Sequence, residues 1–198
     1  MSQYKDIFKI RHNDLRPGKG RILISEPFLQ DAYFQRAVVL LVEHDAKGSM
    51  GLILNKRTDL YVNNFFPELE EFPNIPIYLG GPVSSTHLFF IHSLGENIIP
   101  NTVRVSEKLF FDGDFESLKH YILNGNSIEG KVKFFMGYSG WTENQLNKEI
   151  LRNSWLVSYS SNQRIMLAND DSFWNDSVKS LGTPYSTWIN YPKYPEMN

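Results

Sequence analysis

The chain reads as an α+β protein: a mixed, largely antiparallel sheet curled into a partial barrel, with helices at its sides. Strands cluster in the first half of the chain, and the connection between the first two long apolar runs is too short for a parallel crossover. The later strands alternate irregularly with about three or four helices, without the strict strand–helix rhythm of a doubly wound sheet. The 198 residues, 41% hydrophobic and 14% aromatic, suit one domain with a well-formed core. No stretch reads as a linker. Residues 1–198 are therefore expected to form a single domain, with 1–20 as an N-terminal arm and 183–198 as an extended tail.

Each element has its own local signal. The arm begins with a short amphipathic stretch, Ile7, Phe8 and Ile10, and turns polar at Pro17-Gly18-Lys19-Gly20, a loop. Arg21 to Ser25 is a short strand. Ala37 to His44 is a continuous β-branched and leucine run, which predicts a central strand buried on both faces. Asp45-Ala46-Lys47-Gly48 is a turn, and Met50 to Asn55 returns antiparallel. A short helix is expected around Leu60 to Phe66, closed by Pro67. Ile77 to Leu79, Leu88 to His92 and Thr102 to Val105 read as strands, the last at an edge.

In the second half, Asp114 is a helix N-cap, with Phe115, Leu118 and Ile122 on one face and Gly125 as the stop. Lys131 to Tyr138 is a strand. Thr142-Glu143-Asn144-Gln145 fits a capping box in which Gln145 reaches back to the Thr142 amide. Leu146, Ile150 and Leu151 supply the apolar face of the helix that follows. Trp155 to Tyr159 is a strand, and Ile165 to Leu167 is expected to be another. The last helix runs from about Ser172 to Leu181 and ends at Gly182.

Composition narrows the function classes. The chain lacks cysteine, which removes disulfides, thiolate catalysis and cysteine–zinc sites. No apolar run approaches the roughly 20 residues needed to cross a bilayer, and Met1 to Arg11 lacks the apolar core of a secretory signal. A cytoplasmic protein without membrane contact is the expectation. Net charge is −2 and the isoelectric point near 6.2. The densest basic stretch, Lys9, Arg11, His12, Arg16, Lys19 and Arg21, reads as a solvated segment, so direct nucleic-acid binding is not expected.

Gly137-Tyr138-Ser139-Gly140-Trp141-Thr142 is the most suggestive stretch for chemistry. Placed between a strand and a capped helix, its amides could hold a phosphate or carboxylate. The competing reading is a tight strand-to-helix turn that needs glycine, with Trp141 plugging the core. Gly80-Gly81-Pro82 allows the same two readings, an amide nest or a sharp reversal. A ligand pocket between the two segments would be lined by Gly80, Gly81, Gly137, Tyr138 and Gly140. Trp141 and the Thr142 amide would complete it, with His44, Asn55 and His92 as polar neighbours.

No catalytic residue, metal site or cofactor is assigned. Around Ser139 the nucleophile-elbow pattern is one residue short. His44, His87 and His92 are formally available as bases, with nothing to select among them. Glu43 and His44 point to opposite faces of a strand, so Glu43-His44-Asp45 does not form one metal site. A hydrogen bond from His44 at the sheet end is the simpler role. The Walker and dinucleotide glycine patterns are both absent.

Taken in order, these segments resemble the YqgE/AlgH family of bacterial proteins, often labelled transcriptional regulators. The marks are Phe34-Gln35-Arg36-Ala37-Val38-Val39, Glu43-His44, Gly48-Ser49-Met50-Gly51 and Asn55. Gly80-Gly81-Pro82, the Leu88 to His92 strand, Gly137 to Trp141, Gln145-Leu146 and Glu149-Ile150 follow. The resemblance implies an α+β fold with a bifurcated sheet forming a pseudo-barrel. It carries over no activity, and its regulator label comes without a helix-turn-helix. Ala37 stands where relatives often have serine, Ser139 where they often have alanine, and Asn144 and Asn147 replace a glycine and a glutamate. A hydroxyl at position 37 is therefore not a required nucleophile, the elbow reading of Ser139 is weakened, and an acid at position 147 is not expected to be essential chemistry. Three functions follow as hypotheses: a non-catalytic regulator or adaptor working through a protein or small ligand; a DNA-binding regulator; and an enzyme or ligand sensor using the glycine-lined pocket. The partner and oligomeric state are left open.

Overall fold

The computed structural model describes residues 13–193. Among these described residues, ten strands and four α-helices follow in order. The first half holds β1 (Ile22–Ser25), β2 (Val38–Asp45), β3 (Gly48–Ile53), β4 (Arg57–Tyr61), β5 (Pro76–Leu79) and β6 (Val83–His92). Next come β7 (Val103–Ser106), β8 (Leu109–Phe111), α1 (Phe115–Leu123), β9 (Val132–Thr142) and α2 (Gln145–Leu151). The chain then forms β10 (Trp155–Ser158), α3 (Asn162–Leu167) and α4 (Asp171–Ser180).

The main sheet runs β10-β1-β2-β3-β9-β6-β8-β7, with β4 and β5 branching from it. Every pairing is antiparallel except β5 with β9. This is the mixed, largely antiparallel sheet that the short connections predict. The sheet curls without closing. At the seam, an ideal Cβ on Gly20 would lie 2.9 Å from the Val105 carbonyl oxygen. Ser106 Oγ donates to Asn162 Oδ1 of α3 at 3.1 Å, so a helix bridges the gap between the sheet's ends.

Strand alternation sends residues to two differently covered faces. Ile22, Ile24, Val38, Leu40, Val42 and Leu52 face inward, onto Ile165 of α3 and Trp174 and Val178 of α4. Their sequence neighbours Leu23, Val39, Leu41 and Ile53 face outward, under Leu146 and Ile150 of α2. Val38 to Val42 are all fully buried because both faces are covered, which is the physical content of the unbroken apolar run. A third cluster places Phe90, Phe134 and Ile77 under Leu118 and Ile122 of α1. Asp114 caps α1 by accepting from the Ser117 amide at 2.8 Å. β10 is an edge strand, and Asn13 covers it: its side-chain amide donates to Val157 O and accepts from Val157 N (3.1 Å), as a neighbouring strand would.

Several local expectations need correction. Arg57–Tyr61 is a strand, followed by short 3-10 turns at Val62–Asn64 and Pro67–Leu69, where a helix over Leu60 to Phe66 was expected. The Asn63 side chain bonds Leu69 O and the Ile75 amide (2.7 and 2.8 Å), holding a loop together where helical bonds would otherwise form. Ile165 to Leu167 belongs to α3, because Ser161 caps the segment through the Arg164 amide at 3.3 Å. Leu109–Phe111, unanticipated, pairs with β6 and β7. The tail is not simply extended: Ser186–Asn190 forms a 3-10 turn that buries Trp188. Ile7, Phe8, Ile10 and the basic stretch up to His12, like residues 194–198, lie outside the described residues.

Candidate functional site

The two glycine segments meet, and they meet at the branch point of the sheet. One edge of β9 pairs first with β5, Ile77 to Leu79 lying against Phe134 to Met136. Three residues on, the same strand pairs with β3, Ser139 to Thr142 lying against Gly51 to Gly48. Between these two partners stands Gly137, with a left-handed φ of 69°. Gly80 ends β5 there. Its amide donates to Met136 O at 2.8 Å, and its carbonyl accepts from the Ile53 amide at 2.9 Å and from Ser139 Oγ at 3.1 Å.

Three backbones therefore converge within hydrogen-bonding distance. An ideal Cβ on Gly80 would stand 2.2 Å from Gly137 O, and one on Gly81 2.3 Å from Tyr138 O. The glycines are required by the close approach of one main chain to another. Gly140 is different: its nearest neighbours would be the Tyr138 ring at 3.3 Å and Val83 at 3.9 Å.

The strand-to-helix loop expected at Gly137 to Thr142 is thus a strand, continuous to Thr142, and α2 begins only at Gln145. The reason is pairing. β3 supplies partners as far as Thr142 and keeps the backbone extended. The Thr142 amide is engaged, donating to Gln145 Oε1 at 3.0 Å, the reach-back that the capping pattern predicts. Trp141 does plug the core. Its indole N–H and that of Trp155 both donate to Glu149 Oε2 at 2.8 Å, so one carboxylate from α2 pins two buried indoles beside Phe34.

The two histidines do not gather at this point, whereas Asn55 stands beside it: the Ile53 amide bonds Gly80 O at 2.9 Å and the Leu79 amide bonds Lys56 O at 2.7 Å, on either side of Asn55. His44 lies at one end of β2, its Nδ1 2.7 Å from Ser49 Oγ, the sheet-end role expected of it. His92 pairs with Val132, six residues or about 20 Å along β9 from Tyr138. It is fully buried. Its Nε2 contacts Thr102 Oγ1 at 2.9 Å and Asp112 O at 3.2 Å, and burial lowers its pKa. His87 makes an exposed pair with Asp112 at 2.9 Å. Asn55 follows β3, and its amide works as a three-way backbone bridge. It accepts from Val38 N (2.9 Å) and donates to Arg36 O (2.9 Å) and Asp170 O (3.2 Å). Among the described residues no cluster of three or more His, Asp or Glu side chains could hold a metal ion.

Two features escape sequence reading. Lys133 is 4% exposed, inside the curled sheet. Its ammonium lies 3.7 Å from the centroid of the Tyr78 ring and donates to Ala168 O, just past the end of α3. Burial pulls its pKa down to about 7. Alternation alone could have flagged it: Lys133 shares its face with Phe135, which is fully buried. The second is a polar knot around Arg36, which has a left-handed φ of 50°. Its guanidinium lies 5.2 Å from the Trp174 ring centroid and donates to Tyr191 O at 2.6 Å. Lys56 donates to Gln35 O at 2.6 Å, and burial lowers its pKa.

A curled, open sheet branching at a glycine crossing defines the bifurcated pseudo-barrel class of α+β proteins. The profile of the AlgH-like family, DUF179, matches residues 22–186, and the chain belongs to that family. A UPF0301 protein of Parabacteroides distasonis is 64% identical over 198 residues, covering all of both chains. Another from Bacteroides thetaiotaomicron is 45% identical over 193 residues, covering 98% of this chain and 97% of its own. Among solved structures, the AlgH protein of Pseudomonas aeruginosa superimposes with a TM-score of 0.69 at 25% identity, covering 91% of this chain and 97% of its own. Protein DIP2367 of Corynebacterium diphtheriae shares the fold at a TM-score of 0.74 and 22% identity, covering 91% and 95%.

Proposed function

We propose that this chain is a non-catalytic regulatory or adaptor protein of the cytoplasm, acting through contact with a protein or small ligand. The supporting observation is how the side chains suited to chemistry are used. Ser139 Oγ donates to Gly80 O, and His44 and His92 bond Ser49 and Thr102. Each bond ties neighbouring backbone segments together, and among the described residues none of these hydroxyl–histidine contacts continues to a carboxylate, so no Ser–His–acid set is assembled. The glycines at the branch point approach other backbone, which favours contact surfaces elsewhere over an anion cradle there. Direct DNA binding is the weaker reading, given a net charge of −2.

The test is a turnover panel of ester, phosphomonoester and nucleotide substrates with the purified chain. No turnover above background is expected. Reproducible turnover that disappears with Ser139→Ala or His92→Gln, in variants that still melt cooperatively, would overturn the reading.

A further inference from the structure

Residues Tyr191 to Lys193 lie over the Arg36 knot as a short strap. Tyr191 has φ −73° and ψ 139°, which are polyproline II angles, and Pro192 follows. The strap is held at four points. Its Tyr191 carbonyl accepts from Arg36 at 2.6 Å, and its Lys193 carbonyl accepts from Gln35 Nε2 at 2.7 Å. The Lys193 ammonium pairs with Asp171 at 2.7 Å, and the Tyr191 ring packs on Phe28 with centroids 4.9 Å apart.

The receiving side is built independently of the strap. Trp174 and the fixed backbone of residue 36 orient the guanidinium, and Lys56 braces the carbonyl of Gln35. Phe28, Gln35, Arg36 and Asp171 all fall within the region matched by the family, residues 22–186, whereas the strap lies beyond it. The contacts read two main-chain carbonyls, one ring and one cation. Pro192 has no N–H to satisfy. None of this depends on the strap's covalent connection to the chain.

We propose that Phe28, Gln35, Arg36 and Asp171 form a docking site for an extended polyproline-type peptide of a partner protein, with an aromatic residue, a proline and a basic residue in succession. Tyr191 to Lys193 occupy that site in cis as an autoinhibitory strap. This rests on the reading of the chain as a protein that works by contact, and it names the partner's chemistry and the regulation. A tethered segment acts at an effective concentration of about 1 mM, so a strap with an intrinsic dissociation constant near 0.1 mM weakens a competing peptide about tenfold.

The experiment uses the full-length chain and a fluorescein-labelled synthetic peptide of residues 190–198, followed by fluorescence polarisation. Lys193→Glu sets two carboxylates against each other and should release the strap without touching the site. It is expected to bind the peptide about tenfold more tightly than the unsubstituted chain, with Lys193→Ala in between. In the Lys193→Glu background, Asp171→Asn and Gln35→Ala should each lose most of that gain. The proposal is overturned if Lys193→Glu binds no better than the unsubstituted chain, or if the two site substitutions leave its affinity unchanged. Either failure leaves the non-catalytic reading standing, since turnover decides that one.

Discussion

If the glycines at the branch point are set by backbone crowding, substituting them should damage stability in an order read from the structure. Gly80→Ala is the severe case. Its new methyl would stand 2.2 Å from Gly137 O and 3.1 Å from a methyl of Leu52. Carbon–oxygen contacts rarely close below about 3.3 Å, so β5 and β9 must separate by about 1 Å. That movement endangers two buried bonds, Gly80 N to Met136 O and Ile53 N to Gly80 O. Overpacking costs about 1–3 kcal/mol and each buried donor left unpaired about 1–3 kcal/mol. The three terms together set a loss of at least about 3 kcal/mol. Gly125→Ala is the control for backbone strain alone: φ is 79° and nothing lies within 4 Å of the new methyl. It should cost about 1–2 kcal/mol. Gly140→Ala meets the ring edge of Tyr138 at 3.3 Å and a Val83 methyl at 3.9 Å, with no backbone atom among its nearest neighbours, and should stay within about 1 kcal/mol. Urea unfolding of the three variants, followed by tryptophan fluorescence, measures the series. A Gly80→Ala protein within about 1 kcal/mol of the parent would refute the crowding argument and return the segment to candidacy as a ligand cradle.

Two further substitutions probe the buried polar groups. Lys133 has its pKa lowered from 10.5 to about 7, so between those values the unfolded chain holds a proton that the folded chain does not. Its contribution to stability therefore rises with pH across that window, by up to about 1.4 kcal/mol per unit, and is least favourable below it. Lys133→Met should consequently gain more, or lose less, at pH 6 than at pH 9 in parallel urea titrations; the same difference at both pH values would dispose of the buried-charge account. Asn55→Ala leaves the Val38 amide without its acceptor and should cost about 2–3 kcal/mol. Asn55→Asp keeps an acceptor but sets a carboxylate against the carbonyls of Arg36 and Asp170, so it should fail to rescue. Unfolding midpoints at pH 7 check both, and an Asn55→Asp protein as stable as the parent would show that the two donor bonds contribute nothing.

The fold class was readable because it rests on local signals. The apolar runs of β2 and β3, the Asp114 cap and the Gln145 reach-back each occur within a few residues in sequence and in space. The errors lie where distant partners decide. Gly137 to Thr142 reads locally as a turn before a helix, and only the pairing with β3, some 90 residues earlier by subtraction of positions 51 and 139, keeps it extended. Ile165 to Leu167 has strand composition, yet the Ser161 cap starts a helix there. Within the candidate site, the meeting of the two glycine segments and the sheet-end bond of His44 were anticipated, whereas the burial of His92 away from it and the backbone partners of Asn55 were not. A lone histidine or asparagine carries no positional signal until the strands on both sides of it are aligned.

That distinction bears on how the motifs of this family should be used. Gly80, Gly81 and Gly137 solve a crowding problem at the branch of the sheet, and Asn55, just past β3, ties the entry of β2 to the N-cap of α4. Glu149 holds two indoles, and Ser139 ties β9 to the end of β5. A bifurcated sheet needs such residues whatever the protein does, because at the branch the strand ladder no longer satisfies its own polar groups. The same residues that identify the fold therefore say little about its activity. Gln35 and Arg36 are the exceptions: their side chains reach past the sheet and each holds a carbonyl of the C-terminal segment. A group that the fold has oriented, and whose bond is to a segment outside the family match, is the place where recognition of a partner is open to test.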